Sequence, residues 1–165
     1  MTTFDVKKNP AICVLPWIHE YKTITGKTAP CCQGDDFLEG ESIAGIREAM
    51  LKSIKPRACN NCYKIEQASG WSARMQETND WIGKFGEPDV NNPSIQFLDV
   101  RYDPTCNLKC KTCGPESSTL WQKEKNVKIT VNNKNKSYLN EVDKTILKKV
   151  YLAGGEPTYI RSYLQ

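Results

Sequence analysis

The sequence predicts an α/β chain in two parts: a small cysteine-rich α+β region over residues 1–90, and a βαβ unit over residues 91–165. Three observations carry this. An apolar run at 94–102, helical spacing at 139–149 and a second apolar run at 150–153 read as strand, helix, strand, whose two strands should lie parallel with a right-handed crossover. Ahead of them, residues 11–32 alternate as a hairpin would, and residues 42–54 repeat apolar positions at helical spacing. Between the two parts, residues 83–93 gather Gly83, Gly86, Pro88, Asn91, Asn92 and Pro93, the composition of a boundary near residue 90.

A chain of 165 residues, 39% hydrophobic and 25% charged, suits a soluble globular protein of one ordinary domain or two small ones. No apolar run approaches the ~20 residues that span a bilayer, and the first residues lack the apolar segment of a signal peptide. A cytoplasmic location is expected, where eight cysteines serve as metal ligands more readily than as disulfides. A net charge of +4 is too mild to argue for nucleic acid, and Lys134-Asn135-Lys136, without interleaved aromatics, reads as a solvated loop. The sequon Asn135-Lys136-Ser137 is a chance match in such a compartment.

In the first part, Trp17, His19 and Tyr21 alternate with Ile18, Glu20 and Lys22, so a strand is expected there. A turn at Thr25-Gly26-Lys27 returns the chain so that Cys31 and Cys32 come back near Cys13. His19, mid-strand between aromatics, is assigned packing rather than chemistry. Over 42–54, Ile43, Ile46, Met50, Leu51 and Ile54 form one apolar stripe, Ser42 is a suitable N-cap and Pro56 ends the helix. Cys59 and Cys62 follow as a Cys-x2-Cys pair. Residues 63–81 read as one helix with Gly70 as its weak point, and Trp71 and Trp81 as packing residues over the cysteines. Cys13, Cys31 or Cys32, Cys59 and Cys62 make four thiolates, the count that closes a zinc or a 4Fe–4S site; spacing does not separate the two metals.

The second part opens with the strand at 94–102 and then Cys106-x3-Cys110-x2-Cys113. Three ligands on one loop leave a metal position for an exogenous molecule, the mark of a reactive centre. Pro115 and Glu116 suit the first turn of a helix reaching about Asn126, and Val127, Ile129 and Val131 alternate with polar residues. Leu139, Val142, Ile146, Leu147 and Val150 give the amphipathic crossover helix at 139–149. Gly154-Gly155-Glu156-Pro157 ends the strand at 150–153, which puts it at the same carboxyl edge as the cysteine loop, where parallel α/β folds bind ligands.

The triplet Cys106, Cys110 and Cys113 after a strand, with Gly154-Gly155-Glu156 at the end of the next, resembles the radical S-adenosylmethionine (SAM) enzymes. Cys13, Gly26, Cys31 and the Cys59/Cys62 pair resemble the auxiliary-cluster module called SPASM, in its shortened twitch form, because no further cysteines follow Cys62 within the module. The resemblance implies an incomplete, partial TIM-like radical SAM barrel preceded by a small α+β twitch-like module. It implies that Cys106, Cys110 and Cys113 hold a 4Fe–4S cluster whose remaining iron binds SAM, and that Gly154, Gly155 and Glu156 bind the SAM amino group. The backbone of Thr112, where the family often has an aromatic residue, is expected to contact the adenine. Cys13, Cys31, Cys59 and Cys62 would hold an auxiliary 4Fe–4S cluster.

The implied chemistry is reductive cleavage of SAM to a 5′-deoxyadenosyl radical that abstracts hydrogen from an unknown peptide or small-molecule substrate, with the cofactors carrying the hard chemistry. An electron donor such as flavodoxin or ferredoxin is the implied partner, with electron transfer the role expected of the auxiliary cluster. A complete (β/α)8 barrel takes roughly 250 residues. The chain is therefore expected to be an N-terminal fragment, a truncated form or half of a split enzyme, inactive alone and completed by the remainder of the barrel. The competing reading is a non-catalytic zinc- or iron–sulfur-binding structural or interaction module. Two further departures stand: the auxiliary module precedes the core instead of following it, and position 112 is threonine.

Overall fold

The computed structural model describes residues 3–26, 28–34, 41–101, 103–131 and 142–159. They form a mixed α/β structure: α1 (Leu15–Ile18), β1 (His19–Lys22), β2 (Thr28–Ala29), α2 (Ile43–Leu51), α3 (Asn60–Ser69), α4 (Ala73–Phe85), β3 (Phe97–Arg101), α5 (Thr119–Glu124) and β4 (Lys149–Ala153). Two compact units divide the chain. One holds residues 1–21 and 28–96; the other holds 22–27 and 97–165.

The first unit is built on a core of Ile12, Val14, Trp17, Ile18, Met50 and Thr78, each almost wholly inaccessible. Phe4 meets the Trp17 ring edge-on at 5.0 Å, and the indole N–H donates to the Val90 carbonyl at 3.1 Å. Strand periodicity at Trp17 misleads, because Pro16 presets a helical φ and residues 15–18 close into the single turn of α1. β1 begins only at His19, and Gly26, at φ 87°, makes the turn toward β2. His19 is buried, with its Nδ1 3.4 Å from the Pro30 carbonyl oxygen, in keeping with a packing role.

Ser42 caps α2 as expected, its hydroxyl accepting the Gly45 amide. The stripe is shorter than its spacing suggests. Ile46 and Met50 are buried, while Leu51 and Ile54 stand exposed because the chain leaves the helix at Lys52 and passes through Ser53 at φ 59°. Pro56 therefore does not end α2; it caps the short 3-10 turn Arg57–Cys59 that leads into α3. The single helix expected over 63–81 is two. Gly70, at φ 73°, closes α3 in the left-handed conformation, and the Ser72 hydroxyl opens α4 by accepting the Met75 amide. Trp81 packs inside, but Trp71 lies in the break and is exposed, so it covers nothing.

In the second unit β3 and β4 pair in parallel, from Phe97 opposite Lys149 to Arg101 opposite Ala153. The parallel strand–helix–strand arrangement is present, and among the described residues the helix between the two strands is α5. Residues 142–148 are bends, turns and coil, so the crossover helix expected at 139–149 is not formed in that part, and residues 139–141 lie outside the described residues. The apolar positions Ile146 and Val150 are exposed, so they bury little of the stripe that would support a short helix. α5 is also shorter than expected: residues 115–117 form a turn, and Ser118 caps the helix. Val127, Ile129 and Val131 alternate but lie in coil.

Candidate metal centres

All eight cysteines are among the described residues and are thiols rather than disulfides. They divide by environment. Cys13 and Cys62 are buried and Cys31 and Cys59 half-buried, whereas Cys110 and Cys113 are exposed and Cys106 is intermediate.

The first set is assembled by local chemistry around α3. The 3-10 turn places Cys59 at the N-cap of α3, and Cys62 falls in its first turn. Burial opposes ionisation. It pushes the Cys13 thiol up to about 12, with the Cys59 and Cys62 charges adding to it and the Leu15 amide and Arg74 opposing. Cys31 is likewise pushed up to about 12 by burial and then by Cys13, Cys32 and Cys62. Cys59 reaches about 12 through burial, Cys31, Cys62 and Glu41. Cys13, Cys31 and Cys59 each feel the charge of two of the other three cysteines, which places Cys13, Cys31, Cys59 and Cys62 in one neighbourhood. Cys32 is exposed and contributes to it through Cys31.

Among the described residues no group of three or more histidine, cysteine or carboxylate side chains is arranged to hold a metal ion as it stands. Closing the four thiols on a metal requires them to turn toward a common centre. The donor set fits a zinc or iron–sulfur centre in its chemistry: four buried or half-buried thiols, a helix N-terminus, and a buried guanidinium whose charge reaches Cys13 and Cys59.

That guanidinium was not evident as a site residue in the sequence. Arg74 is almost inaccessible, and its Nε and Nη2 donate to the two oxygens of Glu66 at 2.8 and 2.7 Å. Burial alone would raise the Glu66 carboxyl, but hydrogen bonds from Arg74 and Ser72 outweigh it and hold the group below the usual carboxylate range. The Arg74 guanidinium lies 5.2 Å from the centre of the Tyr63 ring, and the Tyr63 hydroxyl donates to the Ala11 carbonyl at 2.7 Å. The available signal was an arginine at the same helical stripe as Thr78 and Trp81, where an apolar residue would be expected.

The second set sits on the loop between β3 and α5. Asp103 Oδ1 accepts the Thr105 amide at 2.8 Å, an Asx-type turn that bends the chain as it leaves the strand. α5 then fastens the loop. The Thr119 hydroxyl donates to the Cys106 carbonyl at 3.2 Å, the Ser118 hydroxyl to the Leu108 carbonyl at 2.7 Å, and the Trp121 indole to the Cys110 carbonyl at 3.0 Å. Lys109 pairs with Glu124 and, with Lys125, lies over the Trp121 ring at 5.7 and 5.5 Å. The backbone is held while the thiols of Cys110 and Cys113 face solvent. Thr112 lies in the exposed turn between them.

The Gly154-Gly155-Glu156 stretch meets the loop directly. The Gly155 amide donates to the Asp103 carbonyl at 2.8 Å and the Glu156 amide to the Thr105 carbonyl at 2.9 Å. A Cβ at position 155 would lie 1.9 Å from the Thr105 carbonyl oxygen, so the close approach that demands glycine there is to the loop backbone. Gly154, at φ 113°, supplies the bend. The Glu156 carboxylate accepts the Thr158 amide at 3.1 Å and its hydroxyl at 2.7 Å, which together hold it below the usual range.

Comparison with protein families, with curated proteins and with solved structures found no match.

Proposed function

We propose that this chain is a radical SAM protein, in which Cys106, Cys110 and Cys113 hold a 4Fe–4S cluster whose fourth iron takes SAM. One observation carries the reading. The end of β4 is fastened to the start of the cysteine loop by the Gly155 and Glu156 amides, with a contact at Gly155 that no other residue allows. Two stretches fifty residues apart are thereby held as one ligand-binding edge, a juxtaposition that a self-contained zinc loop does not need. The donor chemistry fits: three loop thiolates for iron, an accessible carboxylate at Glu156 for an ammonium group, and the turn at Thr112 with backbone polar groups for a purine edge.

When bound and reduced, the cluster would supply the electron that splits SAM into methionine and a 5′-deoxyadenosyl radical for hydrogen abstraction. The protein's share is positional. α5 holds the carbonyls of Cys106 and Cys110 so that the loop keeps its curl, and Gly155 sets the distance from Glu156 to that loop. To receive an ammonium group, Glu156 would exchange its Thr158 hydrogen bonds for ones in which donor and acceptor are both charged. Cys13, Cys31, Cys59 and Cys62 would carry an auxiliary 4Fe–4S cluster in a twitch-like module, relaying electrons from a donor such as flavodoxin or ferredoxin. β4 presents Val150, Tyr151 and Leu152 to solvent on both its faces, apolar surface that the further strands and helices of a radical SAM barrel would cover.

Anaerobic reconstitution with iron and sulfide tests this reading. About eight irons per chain and an electron-paramagnetic signal of the reduced cluster that changes on adding SAM are expected. Glu156→Ala should weaken that response to SAM while leaving the iron count intact. Stoichiometric zinc that iron does not replace, or a signal indifferent to SAM, sinks the enzyme reading and leaves a metal-binding module.

A further inference from the structure

We propose that Arg74 and Thr78 are positioning residues that hold Cys13 ready to ligate a metal at the four-cysteine site. The inference rests on the reading of Cys13, Cys31, Cys59 and Cys62 as one metal site. α4 carries Arg74 and Thr78 one turn apart, on one face of the helix. That face grips the chain on both sides of Cys13: Arg74 Nη1 donates to the Ile12 carbonyl, and the Thr78 hydroxyl accepts the Val14 amide at 3.1 Å. Arg74, Thr78 and Ile12 are all buried, so these bonds form in a low-dielectric interior where an unmade one is costly.

The grip has its own support. Glu66 locks the guanidinium through two hydrogen bonds, and Tyr63 holds the Ala11 carbonyl one residue further back. Glu66 and Tyr63 belong to the same helix that bears Cys62 in its first turn. One bonded set therefore runs from the Cys62 helix through Glu66 and Arg74 to the backbone of Cys13, fixing two ligands of different elements relative to each other. Stability alone argues weakly for such a set, since a buried ion pair is generally replaceable by apolar side chains at no loss. Holding a flexible-chain cysteine against a helix-borne one is a task apolar packing does less well, because packing lacks the direction of a hydrogen bond. Glu66 also neutralises Arg74, so the cation can stand beside the thiols without an uncompensated charge once they are protonated.

The test uses the full-length chain with Cys106, Cys110 and Cys113 replaced by serine, so that only the four-cysteine site reports. Co2+ is the probe, read by its thiolate charge-transfer absorption and by competition with a chelator. Thr78→Val and Arg74→Lys should each weaken Co2+ binding roughly 10–100-fold, with the helical circular dichroism of the metal-free chain unchanged. In a Cys13→Ser background neither substitution should weaken binding further, because the ligand they position is gone; a merely structural role would still show there. Unaltered Co2+ affinity in Thr78→Val and Arg74→Lys, alongside a loss in Cys13→Ser, overturns the positioning role and leaves the site standing. Unaltered affinity in both Cys13→Ser and Cys59→Ser overturns the site itself. If Arg74→Lys loses its helical signal, the near-isosteric Thr78→Val decides alone.

Discussion

The two cysteine sets solve opposite problems. At Cys13, Cys31, Cys59 and Cys62 the thiols are sheltered and the surrounding side chains are tied to one another, so any occupant is enclosed by the protein. At Cys106, Cys110 and Cys113 the backbone is tied, and the thiols of Cys110 and Cys113 are left exposed. Four sheltered donors suit a permanent centre; three on a fastened but open loop suit one that must admit and release a small molecule. The difference lies less in the cysteines than in what α4 and α5 bond to: α4 grips the chain on either side of a buried cysteine, whereas α5 grips the carbonyls beneath an exposed loop.

The largest effect that would break this contrast is at a single loop cysteine. Cys110→Ser should abolish the response of the reduced-cluster signal to SAM while about four of roughly eight irons remain, as iron analysis and electron-paramagnetic spectra would show. Loss of all iron together would mean that the two sets are not independent. Next comes Gly155→Ala, where the new Cβ meets backbone that cannot yield. It should cost about 3 kcal/mol in urea denaturation and abolish the response to SAM. Gly70→Ala, with nothing within 4 Å and only the left-handed φ to strain, should cost about 1 kcal/mol and leave SAM binding alone.

A pH series sharpens the sheltered side. In the metal-free chain the folded values of Cys13, Cys31 and Cys59 lie near 12, above the ordinary thiol value of about 8.5. Their neutral thiols thus contribute stability that is fully present below about pH 8.5 and is lost as pH rises through the folded value, since the unfolded chain releases protons first. The urea midpoint of the metal-free chain should fall between pH 8 and 11, and metal loading should flatten the fall because ligated thiolates are already deprotonated. The smallest effect is at Ser118, which caps α5 and donates to Leu108. Ser118→Ala should cost about 1 kcal/mol by thermal melt and broaden the loop's response to SAM without removing it.

Much of the fold was legible where local chemistry is decisive. Ser42 caps its helix, Gly70 marks a break, and the strands at 97–101 and 149–153 pair in parallel. The reading failed where short apolar periodicity stood in for packing. Trp17 alternated like a strand but follows Pro16 in a helical turn, and residues 142–148 had helical spacing but lie in bends, turns and coil. The cysteines could be counted and paired by spacing, yet Arg74, Glu66 and Thr78 gave little sign of their part, because their partners lie as many as sixty-four positions away.

The residue types and spacings alone determined that this protein carries five cysteines in one part and three in another, with a glycine pair at the end of a strand. They could not say which thiols are sheltered, since burial depends on elements distant in sequence. Only the tertiary structure decided that α4 brackets Cys13 and that Gly155 touches Thr105. The first joins side chains to backbone and the second backbone to backbone, each between positions far apart along the chain, so no local preference encodes them and they exist only once the packing has brought them together.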